Sequence, residues 1–141
     1  ITNFDILEID TKKKYDFVLL DSPCSAIGTI RKNPEIFFRK NGPNFEYLLE
    51  LQKELLNKAA ELLNKNGVLL YMVCSFLEEE TFYQVENFLR KNNEFKVKNY
   101  FTNSSQNYNF LIKDKFIHTH LSSIENFKID GYFAVCLEKY S

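Results

Sequence analysis

Two continuous apolar runs, Phe17-Val18-Leu19-Leu20 and Val68-Leu69-Leu70-Tyr71-Met72-Val73, flank a stretch whose apolar residues recur at spacings of three and four. Runs without polar alternation suit strands covered on both faces, and the periodic stretch suits a helix with one buried side. That order leaves few folds open, because a right-handed crossover makes the two strands parallel and adjacent with helices on the sheet faces. The helix is predicted over residues 45–63, with Leu48, Leu51, Leu55, Leu56, Ala59, Leu62 and Leu63 inward. Each apolar run is followed by a cysteine, in Asp21-Ser22-Pro23-Cys24-Ser25 and in Val73-Cys74-Ser75. Both thiols are therefore expected where parallel strands give way to loops, the usual place for an α/β active site.

The rest of the chain continues the alternation. Ser22, Pro23 and Gly28 mark a loop over 21–29, and the basic stretch Ile30-Arg31-Lys32-Asn33-Pro34 leads into a short helix over 35–40 with Pro34 in its first turn. Asn41-Gly42-Pro43-Asn44 is a break, and Asn66-Gly67 reads as a left-handed helix cap. A second helix is predicted from about 78 to 91, with Phe82, Val85, Phe88 and Leu89 inward and Glu78, Glu79 and Glu80 in its first turn, where the helix dipole favours negative charge. Residues 95–100 alternate like a half-exposed strand, 102–109 read as a loop or insertion, and 132–137 form a last buried strand. Four strands make a thin doubly wound sheet.

Composition narrows the function classes. The 141 residues, 45% hydrophobic with 14 Phe and 8 Tyr, are one domain's worth with ample material for a core. A formal charge of −1 gives no overall basic excess, so any nucleic-acid contact rests on local patches. There is no signal peptide and no apolar run of membrane-spanning length, so no membrane partner is expected. Three cysteines in such a chain suggest reduced thiols in a cytoplasmic protein rather than a disulfide framework. Only Gly28, Gly42, Gly67 and Gly131 are present, so no glycine-rich cofactor loop can be assembled from this sequence. Because the chain begins at Ile1, it reads as a piece of something longer.

Several ordered segments resemble one family. Residues 15–36, from Tyr15-Asp16-Phe17 through Asp21-Ser22-Pro23-Cys24-Ser25-Ala26-Ile27-Gly28-Thr29-Ile30-Arg31-Lys32-Asn33-Pro34-Glu35-Ile36, are similar to the D-A-P-C-S-G-x-G-T-I-R-R-x-P-D-I segment of the Nop/Sun family of RNA cytosine-5 methyltransferases. Its bacterial Sun (RsmB) type, acting on small-subunit ribosomal RNA, gives the strongest resemblance. Leu51-Gln52-Lys53-Glu54-Leu55-Leu56-Asn57-Lys58-Ala59 resembles the family's L-Q-x-x-L-L-x-x-A helix, Asn66 to Ser75 its G-G-x-L-V-Y-x-T-C-S strand, and Asp130-Gly131-Tyr132-Phe133 its closing D-G-F-F. The resemblance implies the C-terminal half of a Rossmann-like class I S-adenosylmethionine-dependent methyltransferase fold, mostly parallel with an antiparallel closing strand. It also implies that the glycine-rich, cofactor-holding half lies upstream as a missing N-terminal part of the same enzyme.

The chemistry implied needs two thiols. Cytosine carbon 5 is a poor nucleophile, and thiolate attack on carbon 6 converts the ring into an enamine-like species that accepts a methyl group. By the resemblance, Cys74 is that nucleophile, Cys24 serves release of the covalent adduct, and Asp21 hydrogen-bonds the base near N3 and borders the S-adenosylmethionine pocket. Asp5 is the implied contact to the adenine side of the cofactor, with Asp10 as the competing assignment. Arg31 and Lys32 are candidate RNA phosphate contacts, the RNA being ribosomal, or else ordinary surface charges. His118-Thr119-His120 aligns loosely with a T-H-P segment; without acidic or thiol partners at ligand spacing it reads as solvated or structural, and no metal is expected. Cys136 reads as core. Two positions depart from the family pattern, Val73 in place of Thr and Thr81 in place of Asn. The competing interpretation is an inactive or split remnant that keeps only the fold and an RNA or partner surface. A thiol redox module is set aside because no C-x-x-C occurs.

Overall fold

The computed structural model describes residues 5–9, 12–40, 42, 44–99, 112–113, 115–124 and 127–141. Strands β1 (Tyr15–Asp21) and β2 (Leu63–Val73) lie side by side and parallel, with Phe17 opposite Val68 and Asp21 opposite Met72. The crossover between them contains α1 (Phe45–Glu61), started by Asn44, whose side-chain oxygen accepts the Glu46 N–H at 2.9 Å. Its buried residues Leu48, Gln52, Leu55, Leu56, Ala59 and Ala60 follow the expected helical spacing, except that one of them is polar. Residues 34–38 form a 3-10 turn begun by Pro34 rather than an α-helix.

The first helix ends at Glu61, and the left-handed residue, Asn66 at φ 64°, falls instead inside β2. The register between β1 and β2 slips there, from Tyr15 opposite Leu63 to Phe17 opposite Val68, so Asn66 serves a bulge and not a helix cap. The second helix, α2 (Phe82–Lys91), also starts later than predicted, after a turn that includes Glu78, Glu79 and Glu80. A dipole role for that triplet is thereby replaced by a different one, described below.

Strand β3 (Phe95–Lys98) follows α2, and the last third adds β4 (Ile112–Lys113), β5 (Phe116–His118), β6 (Ser122–Ile124), β7 (Phe127–Ile129) and β8 (Phe133–Lys139). β8 runs antiparallel to β2 along one edge; its other edge is shared by β3, next to residues 136–139, and β5, next to residues 133–135. The closing strand is thus antiparallel as expected, yet it inserts between β2 and β3, which both run opposite to it. In consequence β1 with β2 is the one parallel pairing among the described strands, where a mostly parallel sheet was expected. β4 extends the sheet from β5, giving six strands rather than four, and β6 with β7 forms a separate ribbon. The predicted loop at 102–109 lies outside the described residues.

Both helices pack on the same side of the sheet, α1 against β1, β2 and α2. There Leu69, Tyr71 and Val73 of β2 and Phe133, Val135 and Leu137 of β8 are fully buried against Leu55, Leu56, Ala59, Val85 and Phe88. Cys136, also buried, belongs to the sheet interior as predicted. The other face of β1 is open: Phe17 and Leu19 are 55% and 56% exposed, which corrects the expectation of a strand covered on both sides. Among the described residues β1 has no neighbour on its outer edge, and no helix is long and apolar enough to cross a membrane.

Candidate active site

Parallel pairing brings the C-terminal ends of β1 and β2 to one end of the sheet, and the ladder continues one step further through Ser22 N–H, which donates to the Met72 carbonyl at 3.0 Å. Cys24 and Cys74, 50 residues apart in sequence, therefore converge, and their sulfurs are 3.3 Å apart. Both side chains are half-buried. The contact polarises the pair. The geometry lets either thiol donate; with Cys24 as the donor, the bond brings the Cys74 pKa down to about 7 against the opposing effects of burial and of the Asp21 and Glu80 charges. The same hydrogen bond, with burial and the neighbouring charges, pushes Cys24 upward, so the proton stays on Cys24.

The loop carrying Cys24 is clamped on both sides by residues that sequence reasoning gave other roles. Glu80 is fully buried; one of its carboxylate oxygens accepts Ser25 N–H at 2.7 Å and the Gln52 amide at 3.1 Å, and the other accepts the Ser25 hydroxyl at 2.6 Å. The Gln52 amide also donates to the Pro23 carbonyl at 3.0 Å, and the Tyr71 hydroxyl donates to the backbone carbonyl of Glu80 at 2.7 Å. A buried carboxylate is costly unless hydrogen-bonded, and here three donors meet it. The sequence held one signal of this: Gln52 falls on the apolar stripe of α1, where a polar side chain needs a buried partner.

A third segment locks against the pair of loops. Gly28 N–H donates to the Cys74 carbonyl at 3.1 Å, and Gly131 N–H donates to the Gly28 carbonyl at 2.8 Å. A Cβ on Gly28 would lie 1.9 Å from the Gly131 oxygen and 2.9 Å from the Cys74 oxygen, so only glycine permits this approach. Asp130 takes an ion pair from Lys32 at 2.6 Å, which holds the Lys32 ammonium above its ordinary pKa. Between the two histidines, Thr119 is the structural member: its hydroxyl donates to the Asp130 carbonyl at 2.7 Å and accepts Tyr132 N–H at 2.8 Å. His118 and His120 pack their rings at 4.4 Å beside Phe82 and Phe76, and the described residues contain no group of three His, Cys, Asp or Glu able to hold a metal.

The other predicted residues separate. Asp21 is exposed at the end of β1, next to the thiols, where its charge is felt by Cys74. Asp5 is exposed, and one of its oxygens caps the 3-10 turn Ile6–Glu8 by accepting Leu7 N–H at 3.0 Å. Asp10 lies outside the described residues. Arg31 and Lys32 are exposed on the loop that follows Cys24. Val73 has its side chain fully buried in the core, so the methyl that replaces the family hydroxyl is a packing group, and Thr81 donates to the Leu77 carbonyl at 2.8 Å in the turn before α2.

A model of the 16S rRNA methyltransferase RsmB/F family matches residues 1–138. The chain belongs to this family. Ribosomal RNA small subunit methyltransferase B of Pasteurella multocida is 41% identical over 85 residues, which are 60% of this chain and 19% of that protein. The same-named protein of Photorhabdus laumondii is 36% identical over 91 residues, 64% of this chain and 21% of its own. The chain thus spans about a fifth of the length of the curated relatives it matches. Among solved structures, PH0851 superposes with a TM-score of 0.70 at 33% identity, over 88% of this chain and 26% of its own. NSun6 from Pyrococcus horikoshii, solved with the S-adenosylmethionine analogue SFG, superposes with a TM-score of 0.74 at 23% identity, over 99% of this chain and 34% of its own. The fold is accordingly a partial, Rossmann-like class I methyltransferase fold with a mixed sheet.

Asp21 is exposed at the end of the edge strand β1, and Asp5 has one carboxylate oxygen beyond the one bound to Leu7 N–H. No glycine-rich turn is present to approach the methionine end, since Gly28 is filled by backbone contacts and not by an open cradle.

Proposed function

We propose that this chain is the cysteine-bearing half of an S-adenosylmethionine-dependent RNA cytosine-5 methyltransferase that acts on ribosomal RNA. The observation that carries the reading is the Cys24–Cys74 contact, a thiol pair 3.3 Å apart with its proton held on one member, inside motifs matched by the family. The lowered pKa of Cys74 gives it more thiolate at neutral pH than an ordinary thiol has. An ordinary thiol at ~8.5 is only about 3% ionised there. Cys74 attacks carbon 6 of the base, while Asp21 holds the ring near N3. Bound S-adenosylmethionine supplies the methyl group to carbon 5, with Asp21 and Asp5 on one border of its pocket. Cys24, still protonated and in contact with the Cys74 sulfur, serves the release step, in which the carbon 5 proton leaves and the carbon–sulfur bond breaks. Arg31 contacts RNA phosphate; Lys32 does so with its charge shared with Asp130. The open outer edge and exposed Phe17 and Leu19 of β1 support coverage by the cofactor-holding half of the same enzyme. Its place of action is the cytoplasm.

RNA containing 5-fluorocytosine tests the assignment, because fluorine at carbon 5 blocks release. In the full-length protein with S-adenosylmethionine, a covalent protein–RNA adduct is expected, and Cys74→Ala should abolish it. Trapping that survives Cys74→Ala and is lost in Cys24→Ala would reverse the two roles.

A further inference from the structure

We infer that Cys24 and Cys74 form a reversible oxidation site, at which hydrogen peroxide joins the two sulfurs in an intramolecular disulfide and so removes the nucleophile. The sequence argues against a redox pair because the thiols are 50 residues apart and share no C-x-x-C, but the parallel strand ends place their sulfurs at 3.3 Å. A disulfide needs the sulfurs at about 2.05 Å, a closure of little more than 1 Å. The backbone around both thiols is already held together, by Ser22 N–H on the Met72 carbonyl and Gly28 N–H on the Cys74 carbonyl. None of these bonds involves a thiol, so all survive the closure. Both side chains are half-buried and so partly open to a small oxidant, whereas Cys136 is buried in β8.

The chemistry balances in two steps. The Cys74 thiolate attacks one peroxide oxygen; the sulfur–oxygen bond forms, the oxygen–oxygen bond breaks, and the departing hydroxide takes up a proton to leave as water. Cys24 then gives up its proton and attacks the Cys74 sulfur of the sulfenic acid; the sulfur–sulfur bond forms and the second oxygen leaves as water. The pair loses two electrons and two protons, and peroxide is reduced to two waters. A dithiol reductant reverses the change. Cys24, in contact with the sulfur that is oxidised first, intercepts the sulfenic acid before a second peroxide converts it to the sulfinic form.

The effect on catalysis rests on the proposed function; the disulfide itself does not. The test therefore reads the two separately. The protein is treated with a small excess of hydrogen peroxide, unfolded, labelled with N-ethylmaleimide and mapped by mass spectrometry. Among Cys24, Cys74 and Cys136, the reactive thiols are expected to fall from three to one, with Cys136 still labelled, the peptides of Cys24 and Cys74 joined, and dithiothreitol restoring all three. In Cys24→Ala the same treatment should leave Cys74 as sulfenic and sulfinic acid. Wild-type protein that keeps three reactive thiols, or that carries Cys74 to the sulfinic acid without joining Cys24, overturns the inference. The oxidised full-length protein should lose its adduct with 5-fluorocytosine RNA at least tenfold and regain it with dithiothreitol. Wild-type protein that forms the disulfide on oxidation but gives no adduct when reduced overturns the methyl-transfer reading and leaves the oxidation site standing.

Discussion

Replacing Glu80 separates a clamp from an ordinary surface carboxylate. In Glu80→Ala, Ser25 N–H and the Ser25 hydroxyl lose their acceptor, and the Gln52 amide keeps only the Pro23 carbonyl. A hydrogen bond to a charged group contributes ~1.5–3 kcal/mol, and each buried donor left unmet costs ~1–3 kcal/mol. Against this stands the desolvation of the Glu80 carboxylate, which the alanine variant no longer bears. The net loss expected is about 3 kcal/mol. Glu80→Gln gives a sharper comparison. Its oxygen can still accept from Ser25 N–H and Gln52, and its amide can donate to the Ser25 hydroxyl in the reverse sense, so about 1 kcal/mol is expected. Urea unfolding followed by tyrosine fluorescence measures both, since the chain has 8 Tyr and no Trp. An alanine variant within 1 kcal/mol of wild type, or a glutamine variant as costly as alanine, would refute the clamp.

Two further outcomes follow from the same geometry. The alkylation rate of Cys74 by iodoacetamide should rise with pH through a midpoint near 7, and Cys24→Ala, which removes the hydrogen-bond donor, should move that midpoint up toward the ordinary thiol range of ~8.5; an unchanged midpoint would show that Cys24 does not set it. Calorimetric titration of the 141-residue chain with S-adenosylmethionine should show no binding, because its four glycines form no cradle for the cofactor, and micromolar affinity would contradict this.

Legibility followed the range of the interactions. The first helix, the parallel β1–β2 pair and the placing of both cysteines at one end of the sheet were readable because local periodicity and one crossover decide them. The start of α2 was not: Glu78 to Glu80 look like a dipole-favoured first turn, yet tertiary demand for an acceptor at Ser25 and Gln52 takes Glu80 into the core. Thr119 was hidden between two more conspicuous histidines, although it is the residue that ties Asp130 and Tyr132. The insertion of β8 between β2 and β3 was also out of reach, since strand order depends on long-range pairing that a hydrophobic run does not encode.

The sequence by itself determined that Cys24 and Cys74 stand at strand ends, because an apolar run followed by turn formers dictates where a strand stops. Tertiary structure alone decided their 3.3 Å separation, the lowering of the Cys74 pKa by its neighbour, and the buried carboxylate that fixes the loop carrying Cys24. The physical reason is that thiol acidity and reactivity depend on neighbours within a few ångströms, and here those neighbours come from chain segments about 50 residues apart.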